Sequence, residues 1–273
     1  MSEPRTDYGI IERESGGDET SRHAERIRLV GYTVLPGRWA DAELADFGRR
    51  LDDVFAAQAA EFGGDERIAA IGDTFTARCP LLYDDAFLQL VTFPPLLALC
   101  RALLGEYVVL MQQNGVENPA GQPHTQTAYH RDLPYQHFVS SRPLAISALF
   151  CIDSFRRETG ATTVLPGSHR VETFPSSAVA ETVATSVEAD AGSFIVFDSM
   201  LFHRAGANTS SSQRRAVNQV FSVPIIAQQI SLPAVFGRRY ADDPTLARLL
   251  GYEAAPAPSV VAWRERRLLR ITR

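Results

Sequence analysis

The chain has 273 residues, 45% of them hydrophobic, which is enough for one sizeable core. A formal charge of −5 and a pI near 5.7 speak against a general nucleic-acid footprint. No apolar run reaches the ~20 residues of a membrane span, and Met1-Ser2-Glu3-Pro4-Arg5 lacks the basic-then-apolar pattern of a secretory signal; a cytoplasmic protein is expected, with Cys79, Cys100 and Cys151 reduced because their spacing fits neither zinc nor a CxxC pair.

Residues 1–22 are rich in Glu, Asp, Arg, Ser and Gly and read as a flexible tail ahead of a single domain over 23–273. Ser21 to Leu29 carries a short helical signal, and Gly31-Tyr32-Thr33-Val34-Leu35 reads as a strand. Between Asp41 and Phe55 the residues Leu44, Phe47, Leu51, Val54 and Phe55 recur at helical spacing, which predicts a helix bracing a sheet with one apolar face. From Gly63 to Cys79 no period survives, so a loop is expected there. Asp73, Thr74, Phe75 and Arg78 are its candidates for substrate contact, although loop residues of these types are more often simply solvated. Pro94 to Gly105, opened by proline and closed by glycine, predicts a packing helix.

Tyr107 to Asn114 begins a β region in which Gln112 and Asn114 share one face and Gln113 takes the other. An amide at Gln112 reaches a bound ligand if that face is interior, and solvent if it is not. Gly115 to Ala128 reads as a polar loop. Leu144 to Asp153 is a near-continuous apolar strand, Glu158 to Leu165 turns at Gly160 into another, and Val187 to Asp198 forms a third. Strands and turns alternate through 107–225 with no regular helical interruption. This pattern predicts a mainly β protein: a double-stranded β-helix, or jelly roll, with a core over about 107–230, flanking N-terminal helices and short C-terminal ones. Ile225 to Ile230 reads as the close of the barrel, Leu246 to Leu250 as a short helix, and the arginines of 263–270 as a solvated face.

Two stretches carry chemistry. His130-Arg131-Asp132, if extended, points an imidazole and a carboxylate to the same side, because strand side chains alternate. A second imidazole from a distant strand completes a two-histidine, one-carboxylate set that holds ferrous iron and leaves coordination positions open; His203 is the candidate. Arg214 follows His203 by 214 − 203 = 11 residues, across a Gly-, Asn- and Ser-rich turn that brings it back beside the metal. A guanidinium there can grip a carboxylate with two parallel hydrogen bonds. Alternation turns the neighbouring Arg215 away. His124, His137 and His169 are surplus to the set and are read as structural, surface or substrate-contact residues.

His130, Asp132, the Leu165-Pro166-Gly167-Ser168-His169 stretch, His203, Asn208 and Arg214 together resemble the phytanoyl-CoA dioxygenase family of Fe(II)/2-oxoglutarate-dependent oxygenases, over roughly 110–222. The resemblance implies iron on His130, Asp132 and His203, 2-oxoglutarate held by Arg214, and O2 as oxidant; Gln112, from its place on the strand, is a candidate further contact for co-substrate or substrate. It also implies release of succinate and CO2 and hydroxylation of an unactivated C–H bond in a small-molecule metabolite. Related halogenases put a small residue where this chain has Asp132, so hydroxylation is preferred to chlorination. Two other readings stand beside it: a cupin-like metalloenzyme independent of 2-oxoglutarate, which would not need Arg214, and a non-catalytic jelly-roll binding module. The cluster Tyr135-Gln136-His137-Phe138 leans towards a small, partly polar substrate; no nucleic-acid or membrane partner is expected.

Overall fold

The computed structural model describes residues 17–122, 124–133 and 138–271. Helix α1 (Glu19–Val30) starts at Asp18, whose carboxylate accepts the Ser21 amide at 2.9 Å. Its first turn therefore lies inside the stretch 1–22 expected as a tail; residues 1–16 are outside the described residues. The helix stops at Gly31, where φ is +92° and an added Cβ would come within 2.6 Å of Leu201 Cδ1 and 2.8 Å of His169 Nδ1. Strand β1 (Tyr32–Leu35) follows directly.

Helix α2 (Asp41–Phe62) buries Leu44, Phe47, Leu51 and Val54 as the periodicity predicts, and it runs beyond Phe55 to Phe62. Helix α3 (Asp65–Ala70) and strand β2 (Thr76–Arg78) then occupy the stretch expected as a loop. Six helical and three strand residues are too few to register a period, which is why the sequence did not reveal them. Strand β2 is an edge strand whose free side is covered by Gln58 of α2. The Arg78 amide donates to Gln58 Oε1 at 2.8 Å, and Gln58 Nε2 donates to the Arg78 carbonyl at 2.6 Å.

After α4 (Leu88–Val91) and α5 (Pro94–Leu104) come strands β3 (Val109–Asn118), β4 (Ala145–Cys151) and β5 (Thr162–Val164). Next are α6 (Ser177–Val183), β6 (Thr185–Val187), β7 (Phe194–Asp198), β8 (His203–Arg204) and β9 (Arg214–Ser222). Helices α7 (Leu232–Phe236), α8 (Pro244–Leu249) and α9 (Val260–Ile271) end the described chain. β3 thus continues through Gly115, where a polar loop was expected, and α6 interrupts a run of strands expected to be free of helix. Ile225 to Ile230 forms turns rather than a closing strand.

All strand pairings are antiparallel, in a six-stranded sheet ordered β1-β7-β4-β9-β3-β2 and a three-stranded sheet ordered β6-β5-β8. An isolated bridge between His130 and His203 adds one more segment to the small sheet. The two sheets face each other as the expected jelly roll, and β1 and β2 join it from outside 107–230. Both faces of the large sheet are covered. Ile146, Ala148, Phe150, Val217 and Phe221 pack under the helices with Leu51, Leu96 and Leu99, whereas Ile195, Phe197 and Ala216 meet Val164 and Val187 between the sheets. Gly115 is what lets α2 lie directly on β3, since a Cβ there would collide with Leu51 Cδ1. The three cysteines are free and buried. Among the described residues no single helix is long and apolar enough to cross a membrane.

Candidate metal centre

His130, Asp132 and His203 come together in the mouth between the sheets, with one potential ligand atom from each lying within 4.8 Å of the others. Asp132 Oδ1 is 3.4 Å from His203 Nε2 and 4.0 Å from His130 Nε2. The alternation argued from sequence holds over these three residues, although only His130 makes a strand bridge. Arg131 points the other way, donating to the carbonyls of Ser168 and Val171, with its guanidinium 3.9 Å from the Phe202 ring centroid.

Each ligand is oriented by the atom it does not offer. His130 Nδ1 lies 3.0 Å from the Ala128 carbonyl and His203 Nδ1 lies 3.0 Å from the Leu201 carbonyl. A carbonyl only accepts, so both protons sit on Nδ1 and both Nε2 lone pairs face the centre. On the carboxylate, Oδ2 accepts from Ser147 Oγ at 2.6 Å and from Asn218 Nδ2 at 3.2 Å, which leaves Oδ1 to the histidines. Ser147 is itself 2.8 Å from Ser199 Oγ. Sequence reading missed Ser147, Ser199 and Asn218. The signal for two of them was present: Ser147 is a polar interruption of an apolar strand, and Asn218 shares the face of Arg214 four residues earlier.

The charges favour cation binding. Burial works against the ionised form of Asp132, but His203 and His130 outweigh it and hold the carboxyl well below the usual range. Burial likewise opposes charge on His203, and the Asp132 carboxylate reverses this to a net upward shift. His130 is shifted down by burial and by His203. A divalent cation would replace the protons that otherwise offset this carboxylate.

A cavity of about 230 Å³ adjoins the three ligands and is also lined by Gln112, Asn114, Asn218 and Arg214. Arg214 is buried, and burial pushes its guanidinium down to about 10. It is held by the Thr159 carbonyl at 3.2 Å from Nε and by the Phe155 ring at 3.8 Å, and no carboxylate pairs with it among the described residues. A buried cation without a paired carboxylate is costly, and an anion entering the cavity would offset that cost. The buried Oδ1 atoms of Asn114 and Asn218, directly paired across β3 and β9, have no hydrogen-bond partner among the described residues. Arg215 faces α2 instead, bonded to Asp153 and Asp52.

The remaining candidates separate. His124 is stacked on Phe75 at 5.5 Å, and its Nδ1 accepts the Gln126 amide. His169 lies in the turn after β5, its Nε2 3.4 Å from the Arg28 carbonyl. Asn208 bonds the carbonyls of Asn118 and Ser212 and shapes the turn before Arg214. Tyr135, Gln136 and His137 lie outside the described residues. Asp73, Thr74, Phe75 and Arg78 do not reach the ligands. They line a separate space beside the metal cavity, which only Arg78 of the four also borders.

A family model described as phytanoyl-CoA dioxygenase matches residues 27–216. The uncharacterized protein Rv1501 of Mycobacterium tuberculosis is 34% identical over 218 residues, covering 78% of this chain and 79% of its own. Among solved structures, the non-heme monooxygenase ThoJ in its apo form superposes with a TM-score of 0.62 at 20% identity, over 76% of this chain and 80% of that one. The epimerase SnoN in complex with Fe3+, alpha ketoglutarate and nogalamycin RO gives 0.55 at 22% identity, over 75% and 84%.

Proposed function

Since the chain belongs to the phytanoyl-CoA dioxygenase family of Fe(II)/2-oxoglutarate-dependent dioxygenases, we propose that it hydroxylates an unactivated C–H bond of a small-molecule metabolite, with iron on His130, Asp132 and His203 and 2-oxoglutarate on Arg214. The observation that carries this reading is the pairing of three convergent, pre-oriented donor atoms with a buried guanidinium that lacks a counter-charge in the same cavity.

The residues fit the groups. Two imidazoles and a carboxylate are the donor set of non-heme iron oxygenases, and a dicarboxylate suits a cavity that both this donor set and Arg214 line. When bound, iron and 2-oxoglutarate supply the oxidising power of O2, yielding succinate, CO2 and an oxygenated product. The chain's own work is placement. The Ala128 and Leu201 carbonyls keep both imidazoles in the Nε2-ligating tautomer, and Ser147 and Asn218 hold Asp132 so that Oδ1 alone faces the metal. Arg214, packed on Phe155 away from bulk water, neutralises the distal carboxylate where a charge-assisted pair is strongest. Asp132 fills the position that a halide would need, which favours hydroxylation over chlorination.

The test is succinate production from 2-oxoglutarate by anaerobically iron-loaded protein after O2 is admitted, with and without candidate metabolites. Iron-dependent succinate that disappears in Arg214→Ala is expected. Turnover and 2-oxoglutarate affinity unchanged by that substitution would move the protein to the cupin-like class that does without this co-substrate.

A further inference from the structure

We propose that the space walled by α2, α3 and β2 is the substrate chamber, and that it takes a largely apolar small molecule carrying no anionic group. This rests on the oxygenase reading and names its substrate class.

Size is the first argument. The metal cavity, about 230 Å³, is already small against the ~300–1,000 Å³ of typical ligand pockets, and metal and co-substrate must both fit in it. The adjoining chamber is about 680 Å³, and the two share Thr76 and Arg78 as a common wall. These two side chains point inward from β2, opposite Val116 and Asn114 of β3, so a molecule in the chamber lies against the edge of the metal cavity.

Its lining gives the second. Phe55, Phe62, Ile68, Ile71, Phe75 and Leu82 supply large apolar side chains to the wall. Phe62, Ile71 and Tyr83 remain 39%, 62% and 40% exposed, an uncovered apolar concentration that a ligand would remove from water.

Charge gives the third. Glu61, Asp65, Asp73 and Glu117 line the chamber against the single guanidinium of Arg78, which Asp73 already engages at 2.8 Å from Nε. Burial and Asp52 push the Glu117 carboxyl up, as expected of an acid in an apolar, negatively charged setting. Arg67, nearby, stacks on Phe62 at 4.9 Å. The metal cavity has the opposite balance: Arg204 and Arg214 line it against Asp132, and no carboxylate pairs with Arg214 among the described residues. The molecule thus sorts its two organic ligands by charge, a dianion to the basic cavity and a neutral or cationic body to the acidic, apolar one. A fatty acid or an acyl thioester of coenzyme A would meet repulsion in the chamber.

The experiment uses the full-length, metal-free protein and the uncharged fluorophore N-phenyl-1-naphthylamine. Saturable binding is expected, weakened tenfold or more by Ile68→Trp and by Ala59→Trp, two partly exposed positions where a larger ring fills the chamber. Decylamine should displace the probe at concentrations at least tenfold below decanoate of the same chain length. Absence of saturable binding, binding indifferent to both substitutions, or displacement by decanoate as effective as by decylamine would overturn the proposal. Because no metal or co-substrate takes part, a protein that fails to bind iron or 2-oxoglutarate still gives this readout, so the two readings fail separately.

Discussion

The metal cavity and the chamber beside it are built by opposite means. In the first, the atoms of His130, His203 and Asp132 that do not face the centre are tied by hydrogen bonds to backbone carbonyls and to side chains of β4 and β9, and the burden is geometric accuracy. In the second, side chains from α2, α3 and β2 offer apolar area and a negative field with few directed contacts. The jelly roll therefore fixes the reaction, and the helices added to its edge fix what reacts. Small changes should be damaging in one region and graded in the other.

The comparison breaks most completely at the ligands. His130→Ala or Asp132→Ala is expected to abolish stoichiometric Fe(II) binding, measured anaerobically, while far-ultraviolet circular dichroism stays close to wild type; retained iron in either variant would refute the assignment. Arg214→Ala removes a charge-assisted contact of about 1.5–3 kcal/mol, which corresponds to roughly a 10–100-fold loss of 2-oxoglutarate affinity by calorimetry; the chamber's apolar probe should bind it as before. Ser147→Ala frees one lone pair of Asp132 without touching the metal, and a roughly tenfold weaker iron affinity is expected in a metal titration.

The smallest effect sharpens the boundary between the regions, where His124 stacks on Phe75 of the chamber wall. Burial pushes its imidazole down to about 4, so between pH 6.5 and 4 the unfolded chain binds a proton that the folded one does not. His124 therefore withdraws stability from wild type as pH falls through this window, a contribution of about 2 kcal/mol at pH 5. His124→Gln should lack that loss in urea melts. Asp198, raised by burial to about 6, acts with the opposite sign in both proteins and cancels in the difference.

The metal cavity was legible in the sequence because its rules are local. Alternation along a strand places His130 with Asp132 and separates Arg214 from Arg215, and a turn rich in Gly, Asn and Ser announces the return of the arginine. The groups holding the ligands were harder to see, since Ser147 on β4 and Ser199 just after β7 meet Asp132 only through tertiary contact. The chamber was legible only in part: Asp73, Thr74, Phe75 and Arg78 stood out as candidate substrate contacts, but its apolar walls did not. Phe55 read as part of the core face of a helix, Phe62 lay beyond that predicted helix, α3 is too short to show a period, and the loop expected over 63–79 hid an edge strand. Which apolar residues pack inward and which wall a space is settled by tertiary contact, as it was for Phe55 and Ile68.

The bridge between His130 and His203 carries one more consequence. The two residues exchange both backbone hydrogen bonds, 2.9 Å in one direction and 3.1 Å in the other, on a small sheet whose named strands are only two or three residues long. Asp132, by contrast, is anchored to the large sheet through Ser147 and Asn218. An ion held by all three therefore clasps one sheet to the other, and its binding free energy becomes stability of the closed form by mass action. Local opening of the small sheet would then loosen two of the three contacts to a bound ion, so changes that weaken that sheet are expected to speed the loss of iron.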